Sequence, residues 1–268
     1  MLKSFLLDLL RSRSLIFELA KRDYKQQSQG SYLGLVWNYL QPLLFIAVLY
    51  SVFTLGFRSG GGQAEAEDMP FSIYLISGMV CWTYFSANLS SITNVIRSYS
   101  FLVKKVDFRL SILPIVKILS SFLPHLFLLV VALGLAAYQG VLPGWHTLQF
   151  IYYFFCMVAL LLGLGWLTAS TSVFVKDVSN IVAVITQFGF WLTPIFWKIE
   201  NMPESIQWLL KLNPAYYLVT GYRDAIAGTH YFWQRPQESL MFWSVTLLFL
   251  IIGAVTFKKL KPHFAEVI

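Results

Sequence analysis

The sequence predicts an all-α integral membrane protein. Three observations carry that expectation: 57% of the 268 residues are hydrophobic and only 12% charged, the mean hydropathy is +0.64, and stretches without charge recur at bilayer length. A soluble domain of this size carries about one-quarter charged residues. Here the charge is missing in blocks, as it is when lipid is the solvent. The 23 Phe, 14 Tyr and 9 Trp exceed what two interfacial aromatic belts require.

The first element spans 1–34. Leu2, Phe5, Leu6, Leu9 and Leu10, then Ile16 and Leu19, fall at helical spacing, with Arg11, Arg13, Lys21, Arg22 and Lys25 on the polar face. That pattern fits a helix lying in the membrane surface, or an amphipathic helix packed on a partner. Asp8 interrupts the apolar patch and no small-residue cleavage site follows, so no removable signal peptide is expected.

Six segments then approach the roughly 20 apolar residues that a crossing needs: 35–57, 71–97, 112–138, 147–173, 178–198 and 238–257. Pro42, Pro114, Pro124 and Pro194 lie inside or at the ends of these segments, where kinks are expected. Between 199 and 237, two apolar clusters too short to span are separated by Asn213 and Pro214. They fit two short helices on the outer side, re-entrant or lying across a pore mouth, or an ordinary structured loop. Residues 258–268 form a basic tail.

Lys and Arg set the orientation. With the N-terminus in the cytoplasm, the cations of 1–34, Arg97, Lys104, Lys105, Arg109, Lys176 and the tail lie inside, with Lys117 near the inner end of its span. Both termini are then cytoplasmic. The net charge of +7 flanks apolar runs and forms no separate basic domain, so it reads as topology and not as a nucleic-acid surface. Cys81 and Cys156 lie in apolar stretches and read as buried small hydrophobes.

No Gly is followed by Lys, so no Walker A loop is present. The spans hold almost no ionisable group besides His125 and Lys117, which disfavours ion-coupled transport. His125 reads as a satisfied polar residue at a helix interface. A membrane enzyme acting on polyprenyl lipids would gather carboxylates or histidines at one membrane face. Here the acids are scattered, and neither a catalytic constellation nor a metal site is expected.

The run RDYKQQSQGSYLGLVWNYLQPL (22–43) resembles the entry to the first span of type-2 ABC exporter permeases for O-antigen, capsule and teichoic acid polysaccharides. VFVKDVSNIVAVITQFGFWLTPIFW (173–197) is similar to the same family's fourth-to-fifth-span region. LNPAYYLVTGYRDAIAG (212–228) is similar to its outer segment, and the tail KKLKPHFAEVI closes similarly. The Phe-Pro pair common in the family's inner loop is absent; Asp107, Phe108 and Arg109 precede 110–114 instead.

The resemblance implies a homodimer in the bacterial cytoplasmic (inner) membrane, docked on two copies of a separate ATPase that binds ATP and Mg. This chain would hold no cofactor and would not be an enzyme. The loop 99–109, with Tyr99, Lys104, Lys105, Asp107, Phe108 and Arg109, is then the ATPase-coupling segment. A polyprenyl-linked glycan is the implied substrate, and a lipid or drug exporter is the alternative. Sugars stack on rings, so Tyr39, Tyr50 and Phe53, with Phe188, Phe190, Trp191 and Phe196, are pore-lining candidates; core packing or lipid contact is the plainer account of each. Arg22 and Lys25 are candidates for the lipid pyrophosphate, or for topology and anionic lipid contact.

Overall fold

The computed structural model describes residues 12–27, 32–56, 69–103 and 108–267. Among these residues every regular element is helical. Helix α1 is Arg13–Gln26, and α2 is Trp37–Ser51, entered through a 3₁₀ turn and continued by a π turn over Val52–Gly56. Helix α3 is Phe71–Thr93; two short turns of helix follow, α4 (Val95–Ser98) and α5 (Ser100–Val103). Helices α6 (Leu113–Ser120) and α7 (Phe122–Tyr138) are one run broken at Ser121. Then come α8 (Gln149–Phe174), α9 (Asp177–Leu192), α10 (Glu204–Lys211), α11 (Pro214–Ala227), α12 (Pro236–Leu260) and α13 (Phe264–Val267).

Among the described residues, four stretches are long and apolar enough to cross a membrane: Gly34–Leu55, Leu110–Tyr138, Trp145–Phe174 and Pro236–Val267. The six-segment reading also includes α3 and α9, and each falls short for a physical reason. Helix α3 buries 15 of its 23 residues. It faces protein on nearly all sides, so its sequence tolerates Ser, Thr and Asn that a lipid-facing helix excludes. Helix α9 has 16 residues, about 24 Å at the helical rise, and stops where Thr193 leaves helical geometry ahead of Pro194.

Around α3 pack α7, α8, α9 and α11, and the most extensive helix pairing is α8 with α12. Glycine permits it: a Cβ on Gly163 would lie 2.7 Å from the Leu250 nitrogen, and Gly253 faces the Gly163 carbonyl. Small residues at such a crossing let two backbones touch. By contrast α2 buries only Ile46, so it rides on the edge of the bundle.

The prolines act mainly as punctuation. Pro114 sits in the first turn of α6 and Pro194 just beyond α9, where a missing N–H costs nothing. Pro124 follows the Ser121 break, and Pro42 alone lies within a helix without a break beside it.

Helix α1 packs on α6 of its own chain through Ile16 and Ala20, which form a satellite cluster with Ile112 and Val116. Leu15 and Phe17 stay exposed on another face. Both alternatives for this helix therefore have a face to account for.

The segment after α9 forms two helices divided at Asn213, whose side chain accepts from the Ala215 N–H. Helix α10 buries no residue, whereas α11 is largely interior and ends at Gly228 in the left-handed region, φ +73°. Cys81 and Cys156 are both buried and unpaired.

Candidate functional site

Three groups of side chains lie along the bundle. The first is at the end that carries α1. Asp23 is buried, and its Oδ1 accepts from Lys117 Nζ at 2.5 Å and from the Tyr99 hydroxyl at 2.9 Å. The Lys117 ammonium also sits 5.6 Å above the Tyr99 ring. Burial pushes the Asp23 carboxyl up, but the Lys117 hydrogen bond and charge, with hydroxyl bonds from Ser120 and Tyr99, hold it below the usual carboxylate range. Burial, then the Asp23 charge and hydrogen bond, push the Tyr99 phenol up. One carboxylate thus ties α1, the turn between α4 and α5, and α6 together.

From Asp23 the hydrogen bonds continue. Gln27 Nε2 donates to Asp23 Oδ2 and Asn38 Nδ2 donates to Gln27 Oε1, both at 3.3 Å. Beside them the hydroxyls of Tyr24 and Tyr39 meet at 2.6 Å. This chain leads to the second group, a cavity of about 500 Å³ bounded by α2, α3, α7 and α9. Helix α2 contributes Trp37, Asn38, Gln41 and Phe45; α3 contributes Thr83, Tyr84, Ser86, Asn88 and Ser90; Ser121 comes from the break before α7, His125 from α7 and Thr186 from α9.

Among the described residues the cavity lining contains no Asp, Glu, Lys or Arg. Tyr84 donates to the Ile118 carbonyl at 2.7 Å while its ring lies 4.3 Å from that of His125. His125 is held through Nε2, 3.0 Å from the Tyr222 hydroxyl. It occupies the expected helix interface, between α7 and α11, but is only partly satisfied there, because its buried Nδ1 has no partner among the described residues. Asn88 is fully buried; its Nδ2 donates to the Tyr84 carbonyl, but its Oδ1 has no partner among the described residues.

Towards the opposite end the cavity gives way to a third group, made of rings. Phe190 lies 5.6 Å from Phe196, 5.4 Å from Trp191, 6.1 Å from Phe45 and 6.3 Å from Trp82. Phe53 lies 4.9 Å from Phe196. Phe71 bridges Phe53 to Tyr50, at 6.1 and 6.5 Å.

Four of the ring candidates read from sequence, Phe53, Phe190, Trp191 and Phe196, therefore meet in one cluster, with Tyr50 at its margin. Phe190 and Phe196 are buried in it, while Trp191 and Tyr50 keep an exposed face. Tyr39 stands apart at the α1 end, edge-on to Phe127 at 5.0 Å, and Phe188 is 62% exposed on the outer face of α9.

Arg22 and Lys25 are exposed on α1, on either side of buried Asp23. Of the coupling-loop candidates, Tyr99 is buried, Phe108 is half-buried and Arg109 exposed. Lys104, Lys105 and Asp107 lie outside the described residues.

Sequence reasoning missed the polar lining of α3. The signal was there: Thr83, Ser86, Ser90 and Asn94 recur at three- and four-residue spacing in an apolar run, one stripe of a helix. It also did not single out Arg223 within the segment 199–237. Arg223 is buried in α11, its guanidinium 3.5 Å from the Tyr74 ring centroid. It donates to the carbonyls of Pro194, of Ile195 at 2.9 Å and of Tyr74 at 3.3 Å. The neighbouring Asp224 accepts from Thr229 at 2.6 Å and pairs with Arg235 at 3.3 Å.

Helices long and apolar enough to cross a membrane, packed beside a hydrogen-bonding cavity, define a helical membrane protein. Residues 14–227 match the family described as ABC-2 type transporter, and the chain belongs to that family. It is similar to proteins named "O-antigen export system permease protein RfbA". With the one from Myxococcus xanthus it is 25% identical over 262 residues, covering 97% of each chain. With two from Klebsiella pneumoniae it is 25% and 24% identical over 259 residues, covering 95% of each.

Proposed function

We propose that this chain is the pore-forming permease subunit of an ATP-driven exporter of lipid-linked polysaccharide of the O-antigen, capsule or teichoic acid type. One observation carries the reading: similarity to O-antigen export permeases runs end to end through the chain, so relatives and chain share one architecture and not one motif.

The geometry supports it. A glycan presents hydroxyls that need neutral partners and C–H faces that stack on rings, and a charge-free polar cavity leading to an aromatic cluster offers both. In this reading six segments cross the inner membrane with both termini cytoplasmic, and a second copy completes the pore. Tyr39, Tyr50, Phe53, Phe188, Phe190, Trp191 and Phe196 lie along the glycan's path. Arg22 and Lys25 hold the polyprenyl pyrophosphate at the inner interface. Two copies of a cytoplasmic ATPase, which carry the ATP and Mg, push on the loop 99–109. Asp23 and Tyr99 give that push a route into α1 and α6.

Deleting the gene and measuring surface glycan tests the reading. Glycan is expected to accumulate inside the cell and to return to the surface on complementation. Normal surface glycan, with loss of export of a drug or a simple lipid instead, would replace this assignment with another substrate class.

A further inference from the structure

We infer that the cavity between α2, α3, α7 and α9 is a subsite for one uncharged sugar residue, with Asn88 as its buried acceptor. The inference rests on the polysaccharide reading above and specifies what this site takes. Its volume of about 500 Å³ falls within the ~300–1,000 Å³ usual for small-molecule sites.

The chemistry of the walls selects the ligand. Phosphate, sulfate or carboxylate would need a cation and an ammonium would need a carboxylate, and among the described residues the lining holds neither. An acyl chain or isoprenoid would offer no hydrogen bond to the Asn88 Oδ1, which lacks a partner among the described residues, and would cover the exposed Gln41 amide with hydrocarbon. A sugar ring satisfies both constraints, since its hydroxyls pair with amides and hydroxyls while its C–H face lies on Trp37 or Phe45.

Asn88 gives the site its direction. With its Nδ2 committed to the Tyr84 carbonyl and its Oδ1 unpartnered, it presents an acceptor that calls for a hydroxyl donor. Thr83 and Ser86 donate to carbonyls within α3, at 2.7 and 2.9 Å, so their oxygens retain lone pairs for further hydroxyls. Anionic parts of a lipid-linked glycan are excluded from this cavity and belong elsewhere, at cations outside it.

The test uses the full chain in nanodiscs and three photoactivatable probes sharing one decyl tail: decyl glucoside, decyl phosphate and decane. Adducts are mapped by mass spectrometry. Decyl glucoside is expected to label 38–45 and 83–90, competed by free glucose oligomers, while the other two label those segments weakly. Asn88→Leu is expected to cut glucoside labelling there roughly three- to tenfold, the worth of a neutral hydrogen bond. If that variant fails to fold, Gln41→Leu, on an exposed part of α2, decides alone with a drop in the same range.

Equal labelling by decyl phosphate or decane would overturn the subsite in favour of an ion or lipid crevice. Unchanged labelling in folded variants would overturn it too. Either result with surface glycan still dependent on the gene sinks the subsite and leaves the export reading standing.

Discussion

At the level of single residues, buried charge is confined to places where it is fully engaged. Asp23 and Lys117 form a nearly dry pair, with side chains 6% and 12% exposed. Removing one member strands the other, at a cost of about 3 kcal/mol. Lys117→Met and Asp23→Asn are therefore each expected to lower the thermal stability of the purified protein clearly. The double variant should recover part of the loss, and strictly additive losses would show the two groups to be independent.

The pH dependence follows from the sign of the shift. The Asp23 carboxyl titrates lower in the folded chain than in the unfolded one, so its contribution is complete above the unfolded value of about 4 and is lost as pH falls through the folded one. In Lys117→Met burial acts without its main opponent, so the carboxyl should titrate higher. Melting curves across acidic pH should show the variant and the parent converging. Arg223 invites a second comparison, because a guanidinium serving three carbonyls at once has a fork that lysine lacks. Arg223→Lys is expected to lose stability nearly as Arg223→Met does, and Gly78→Ala, whose Cβ would lie 3.1 Å from that guanidinium, to lose less than either. Equal stability of Arg223→Lys and the parent would show that charge alone matters there.

Among the elements, legibility in the sequence tracked the solvent each helix faces. The runs that became α2, α7 and α12 leave most of their surface outside the bundle, where a lipid solvent demands unbroken apolar sequence, so hydropathy alone finds them. Helix α3 is wrapped by protein, and its stripe of Thr83, Ser86 and Ser90 reads as dilution of a span until the cavity beside it is known. The break at Asn213 and Pro214 was readable because capping chemistry is local. The burial of α11 was not, because it depends on which helices surround it. For the same reason the aromatic residues could be nominated but not sorted: Phe188 and Phe190 are two apart in sequence, yet one faces outward and the other is buried among rings. The pairing of α8 with α12 allows a test of an element as a whole. Gly163→Val puts branched carbon against the Leu250 backbone, which cannot yield as a side chain tip would. The expected cost is about 2–3 kcal/mol, read as a lower melting temperature, whereas Gly134→Val, with open space around it, should change stability little. Equal effects at the two glycines would mean that the helices are not in backbone contact.

For the molecule as a whole, cohesion is uneven, and the cavity lies on its weak side. Helices α3, α8, α11 and α12 form the dense part of the bundle. Helix α2 buries only Ile46, and α9 only Val182 and Phe190, although both line the cavity and the ring cluster. Their outward faces carry Leu44, Val48, Val184, Ile185 and Phe188, all exposed. Lipid could cover these side chains as it covers Leu247 of α12, which is also exposed. The difference is that the faces of α2 and α9 flank a polar cavity, and hydrocarbon is a poor wall for one. A second copy placed against them would close the cavity with protein. In a background with Cys81 and Cys156 replaced by Ala, a cysteine at Phe188 is expected to form disulfide-linked dimers in native membranes, and one at Leu247 to remain monomeric. Equal crosslinking at both positions would reflect random collision in the membrane. Crosslinking at Leu247 alone would move the interface to α12 and leave the cavity facing lipid.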